Sequence, residues 1–333
     1  MVKWKDGRES ENVEDRRGES GGMGGGFPFP GGGGRTIQIP MGRRGGGIGI
    51  FGLLIIAGIM LLLGINPLDV LTGGGGNQFP LPRVDRDGGP LPKFEIPDLP
   101  GSAREATQRT PTPSGSLPAG DDEARFVKVI FGYTEDVWTD IFKQIGRSYR
   151  TPTLVMFSGQ TPTACGPGMS MMGPFYCPLD EKVYIDLDFY RELQQRFGAP
   201  GDFAQAYVVA HEVGHHVQKL FGIADRVQEI KQQVSERDAN ALQVRMELQA
   251  DCFAGVWANQ ANQEKGILES GDVEEGLNAA KAIGDDRIQR QTQGRVVPDA
   301  FTHGSSEQRV RWLRRGLESG DIRQCDTFRT DDL

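Results

Sequence analysis

Five consecutive residues, His211, Glu212, Val213, Gly214 and His215, carry the clearest chemistry in this 333-residue chain. On a helix the two histidines lie about 40° apart and one turn above each other, so two imidazole nitrogens can meet one ion. Glu212 is turned about 100° from His211, beside the ion rather than on it, where it can reach a coordinated water. The chain holds only four histidines, which makes a chance HExxH spacing rare. His216, about 140° from His211, points away from the pair and reads as a packing residue or a support behind it.

A catalytic zinc site takes three protein ligands and keeps one position open. No HxxGxxH continuation follows His215, which excludes the metzincin pattern. About one helix further on stands ELQAD, Glu247 to Asp251, with its two acids one turn apart on a shared face. Glu247 would complete a His₂Glu set. Asp251 could accept the spare imidazole N–H of a ligand histidine, which fixes its tautomer. Such an acidic pair is ordinarily a solvated face. Here Leu248, Ala250, Cys252, Phe253 and Ala254 imply burial, and a buried carboxylate needs a cation. His303, in FTHGSSEQRVRW, is the remaining imidazole, and three roles stay open for it: donor to a tetrahedral intermediate, surface histidine, or third ligand in place of Glu247. Arg309, in the same segment, could hold a carboxylate near the site.

These side chains need helices to position them. Phe203–Phe221 is expected as a helix capped by Asp202, with Gln205 at its third position and Gly222 as its stop. A long helical segment is expected from about Arg226 to Asn262, with shorter helices over Glu123–Phe131 and Thr134–Ile145 and one capped by Asp188 running to Phe197. Thr153–Phe157 and Lys182–Leu187 (KVYIDL) read as strands. KVYIDL is either a cleft-edge strand onto which an extended peptide adds or an ordinary core strand. The class is α+β, mainly helical with a small sheet. The acidic turn Gly284–Asp286 reads by default as a helix cap.

With 37 Lys+Arg against 45 Asp+Glu the chain carries a formal charge of −8, which argues against nucleic acid as a partner. A hydrophobic fraction of 37% excludes a polytopic membrane protein, and 47 Gly with 20 Pro exclude one even globule. Residues 1–47 read as a disordered, Gly-rich cytoplasmic tail. Residues 48–65 hold no charge and would span about 27 Å as a helix, enough for one membrane crossing. Arg43 and Arg44 just before them place the N-terminus inside. Residues 66–120 form a Pro/Gly-rich linker, and 121–333 form the folded domain. Cys165 and Cys177 bracket a Gly/Pro-rich loop, while Cys252 and Cys325 could tie the C-terminal tail to the ELQAD helix; reduced thiols are the alternative for both pairs. No Cys-x-x-Cys spacing supports a zinc ribbon or a thioredoxin-like module.

HEVGHH, ELQADCFAGVW and FTHGSSEQRVRWLRRG together resemble the bacterial neutral zinc metallopeptidase family, and GPFYCPLDEKVYIDLDFY is a further stretch typical of it. The resemblance covers 121–333 and the apolar segment. More distantly the pattern is similar to the prenyl-protein-protease-like gluzincins, where Pro usually follows the C-terminal histidine; here Gly304 does. The resemblance implies a zincin-like domain with one Zn²⁺ per chain on His211, His215 and Glu247, Asp251 supporting a ligand histidine, and His303 in the C-terminal histidine role. It implies a membrane-anchored metalloendopeptidase of the bacterial inner membrane, N-terminus cytoplasmic and catalytic domain periplasmic, hydrolysing peptides or proteins by a zinc-activated water with Glu212 as general base. A non-catalytic, zinc-stabilised scaffold or binding protein is the competing class, for which an intact Glu212 has no use.

Overall fold

Leu154–Phe157 and Val183–Ile185 are apolar at every position, a pattern that requires cover on both faces of a sheet. The computed structural model describes residues 1–18 and 121–333, which belong to one compact unit. Strands β1 (Val13–Asp15), β2 (Thr153–Phe157), β6 (Lys182–Asp186) and β5 (Phe175–Cys177) lie side by side in that order. The first two pairings are parallel and the last is antiparallel. Leu154, Met156, Val183 and Ile185 point into the main core, whereas Val155, Phe157 and Tyr184 join Cys177 in a small cluster on the other face. A hairpin of β3 (Gln160–Thr163) and β4 (Gly166–Met169) follows β2. KVYIDL therefore lies inside the sheet, and among the described strands the edges are β1 and β5.

Helix α1 (Asp122–Gln144) is continuous where two helices were expected. Gly132, in the gap between the two expected helices, sits within it, and residues 8–10 cross there. A Cβ on Gly132 would lie 2.6 Å from the Arg8 carbonyl oxygen. Beside that crossing the buried Glu135 accepts from Ser10 Oγ, Asn12 Nδ2 and Arg8 Nη2 at 2.7 to 2.9 Å.

This corrects the expectation of a disordered tail for its first 18 residues. They supply β1, bury Val2 and Trp4, and share one core with 121–333. Parts of one core occupy one side of a membrane, so a single crossing with the N-terminus opposite the folded domain does not fit this fold. Among the described residues no helix is long and apolar enough to cross a membrane. The expected span 48–65 and the linker 66–120 lie outside the described residues, as does the remainder of 1–47.

The remaining helices are α2 (Asp188–Gln195), α3 (Asp202–Leu220), α4 (Ile223–Lys231), α5 (Glu236–Lys265), α6 (Asp272–Ala282), α7 (Asp285–Gln293) and α8 (Ser306–Ser319). The caps of α2 and α3 are Leu187 and Gly201, not Asp188 and Asp202; the Asp202 carboxylate accepts the Val2 N–H at 2.8 Å instead. The segment 226–262 is divided because Ser235 starts a new helix, its hydroxyl accepting from the Asp238 N–H. Gly214 lets α3 approach α5: a Cβ there would be 3.1 Å from the Ala250 backbone. Gly255 and Gly316 bring α5 and α8 closer still, since a Cβ on Gly316 would meet the Cys252 carbonyl oxygen at 2.0 Å. A disulfide joins Cys252 to Cys325 beside this contact, and another joins Cys165 to Cys177.

Candidate metal centre

Close packing of α3 on α5 stacks the HEVGH turn against the ELQAD turn, and three side chains converge. His211 Nε2 lies 3.2 Å and His215 Nε2 3.5 Å from Glu247 Oε2. Ligands held about 2.0–2.1 Å from a tetrahedral zinc lie about 3.3 Å apart, so the two-nitrogen, one-oxygen set fits that ion. The other ring nitrogens are engaged from behind. His211 Nδ1 is 2.8 Å from Asp251 Oδ1, and His215 Nδ1 is 2.9 Å from Gln218 Oε1. Both partners are acceptors, so each Nδ1 carries the hydrogen and each Nε2 lone pair faces the shared point. Gln243 Nε2 donates to Glu247 Oε1 at 2.8 Å and leaves Oε2 for the histidines.

The electrostatics favour a cation at that point. Burial alone would lower the His211 pKa, but the carboxylates of Asp251 and Glu247 raise it to about 10. Burial would raise the Glu247 carboxyl, yet His215 and His211 hold it well below the usual carboxylate range. Asp251, fully buried, would likewise be pushed up; Arg309 and His211 outweigh burial and hold it at about 2. Arg309 fills the role of carboxylate holder: its Nε and Nη2 each lie 2.8 Å from an Asp251 oxygen. The Tyr207 hydroxyl donates to Asp251 Oδ1 at 2.6 Å and accepts from Arg309 Nη2 at 3.0 Å.

His211, Glu212, His215 and Glu247 line a cleft of about 840 Å³, and His303 lines it too. His303 does not join the three-residue cluster; its Nδ1 is 3.3 Å from Asp285 Oδ1 and its ring is about half exposed. The Asp285 Oδ2 accepts the backbone N–H groups of Thr302, His303 and Gly304, so the acidic turn shapes the loop that carries His303. His216 is buried behind the site, bonded to the Arg150 carbonyl at 2.6 Å and to the Tyr176 hydroxyl at 3.0 Å.

Gln218, Gln243 and Tyr207 were missed in the sequence, although a signal was present. Each stands three or four positions from a ligand on its own helix, the spacing at which side chains meet. Asp285 had no such signal, because it reaches His303 across the fold.

Among proteins of known sequence, the uncharacterized protein YpfJ of Escherichia coli (strain K12) is 47% identical over 327 residues, 98% of this chain and 99% of that protein. The uncharacterized protein Rv2575 of Mycobacterium tuberculosis (strain ATCC 25618 / H37Rv) is 45% identical over 224 residues, 64% of this chain and 75% of that protein. No solved structure matches. Residues 2–87 and 97–328 match a family whose zinc agrees with the donor set above: the chain belongs to the family described as "Putative neutral zinc metallopeptidase".

Proposed function

We propose that this protein is a zinc-dependent endopeptidase, with His211, His215 and Glu247 holding one ion and Glu212 acting as general base. The observation that carries this reading is that Glu212 lines the same cleft as the three residues whose ligand atoms converge. A structural zinc site is closed and has no use for an unligating carboxylate facing a cleft of substrate size.

Zinc, when bound, lowers the pKa of a coordinated water toward about 7 and polarises a carbonyl oxygen. Glu212 takes the proton from the attacking water and returns one to the leaving amine. His303, charged or hydrogen-bonded from the cleft wall, donates to the carbonyl oxygen as negative charge develops there. Asp251, Tyr207, Arg309 and Gln218 hold the histidines in the tautomer that presents Nε2.

Both disulfides favour an oxidising compartment, so we place the folded unit, residues 1–18 included, outside the cytoplasm. The test is hydrolysis of a peptide library by the zinc-loaded chain, with a chelator control and the Glu212→Gln variant. Loss of turnover with full zinc content is expected for Glu212→Gln. Zinc binding without any hydrolysis by the unmodified chain would assign it to the scaffold class.

A further inference from the structure

Among the described residues, the exposed large hydrophobic side chains other than Met1 fall on one short stretch: Met169, Met171, Met172 and Leu179. Met171 is 80% and Leu179 74% exposed. Single exposed apolar residues are ordinary on a protein surface; four on one stretch are not. The stretch is also held rigid. The Cys165–Cys177 disulfide closes the loop that carries the three methionines, with Leu179 two residues beyond it, and the Ser170 N–H and hydroxyl bond the Gly159 carbonyl at 2.8 and 2.9 Å. The Tyr176 hydroxyl pins its far end to His216, one residue beyond the ligand His215. A loop fastened at three points presents its methionines in water without a core of its own to bury them in.

Its position supplies the reason. Met171, Met172, Tyr176 and Leu179 line the same cleft as His211, Glu212, His215 and Glu247. The apolar surface is thus continuous with the proposed reaction centre rather than facing away from it. Methionine is unbranched and polarisable and adapts to differently shaped partners, so such a wall selects by class of side chain rather than by one residue.

We propose that the stapled stretch 165–179 is the substrate-selecting wall of the cleft, taking a large apolar side chain of an extended peptide next to the bond to be cleaved. This deepens the peptidase reading and rests on it. The favoured substrates are peptide segments with Leu, Ile, Met or Phe at that position, which in folded proteins are buried, so unfolded or unstructured chains fit best.

The test uses the full zinc-loaded chain with peptides differing only in one central residue, Phe or Leu against Ser or Asp. The unmodified protein is expected to favour the apolar set by at least about tenfold in kcat/KM, and the triple variant M171S/M172S/L179S to lose most of that ratio. These three side chains are exposed, and an unchanged melting temperature checks that the variant folds. Affinity of the Glu212→Gln protein for the same peptides, measured by fluorescence anisotropy, gives a readout independent of turnover.

Equal rates on both peptide sets, or a ratio that survives the triple substitution, would overturn the proposal while leaving the peptidase reading intact. If no peptide is cleaved, the peptidase reading falls and the anisotropy decides for the wall: equal affinities overturn it, apolar preference sustains it. Binding to phosphatidylglycerol vesicles that disappears in the triple variant, without any peptide preference, would assign the wall to a lipid surface and also overturn it.

Discussion

Arg309 grips Asp251 through two parallel hydrogen bonds, Nε to Oδ2 and Nη2 to Oδ1, each 2.8 Å long. Both groups are buried, so the guanidinium is the principal counter-charge for a carboxylate that otherwise faces only His211 and Tyr207. Removing one partner of such a pair leaves an uncompensated charge. Arg309→Ala should therefore lower the stability of the chelator-stripped protein by about 3–5 kcal/mol in urea unfolding. A change below about 1 kcal/mol would show that the grip contributes little.

Gln218 and Gln243 each fix one metal-facing group, His215 and Glu247, without facing the ion themselves. Supports of this kind govern affinity by about 10–100-fold. Gln218→Leu and Gln243→Leu should each weaken zinc binding by that factor in competition with a chromophoric chelator. Unchanged affinity in both would make the two amides mere packing.

The pairing of His303 with Asp285 has a defined pH window. Burial works to lower the His303 pKa, but the Asp285 hydrogen bond and the Glu247 charge raise it above the ordinary 6.5. Burial works to raise Asp285, yet the His303 contacts and backbone N–H groups bring it below the ordinary 3.8. A raised histidine contributes stability that is complete below the unfolded value of about 6.5 and is lost as pH rises through the folded value. A depressed aspartate contributes above its unfolded value and loses that contribution as pH falls through the folded one. The His303 ring resonances should titrate with a midpoint above 6.5, falling in Asp285→Asn. A midpoint at or below 6.5 in the unmodified protein would contradict the pairing.

Much of this centre was written in the sequence. His211, His215, Glu247 and Asp251 follow from helical spacing, and the backs of the ligands follow from the same rule applied once more. What local patterns could not show is which distant segments meet. The pattern divides 123–145 into two helices where the structure has one, with residues 8–10 crossing it at Gly132, and Asp202 reads as a cap until it is seen holding the Val2 N–H. The N-terminal residues had the composition of a polar tail. Their structural part depends on β2 and α1, more than a hundred positions later, to which no local periodicity points.

Gly316 and Gly255 permit backbone contact between α5 and α8, the contact that brings Arg309 to Asp251. Gly316→Ala should cost about 1–3 kcal/mol through overpacking, read as a lowered melting temperature. Because the helices must separate, zinc affinity should fall with it. A melting temperature equal to that of the unmodified protein would mean that the helices slide apart freely.

Arg17 and Asp121 form an ion pair at 2.5 Å, so residues flanking 19–120 stand next to each other. Replacing 19–120 by a Gly/Ser linker of about eight residues, long enough for so short a gap, should preserve the fold and its circular dichroism spectrum. A chain that loses cooperative unfolding after this replacement would show that the excised part is needed for the core.

The parallel pairing of β1 with β2 also sets a timetable. During synthesis β1 emerges early, but its one strand neighbour among the described residues, and Glu135, which ties the preceding residues 8–12 to α1, emerge after the whole intervening stretch. Pairing over such a distance is slow, because a long loop must close before any contact rewards it. The first of the described strands to be made thus waits for its partner, and until the two pair the nascent polypeptide carries an open sheet edge along β2.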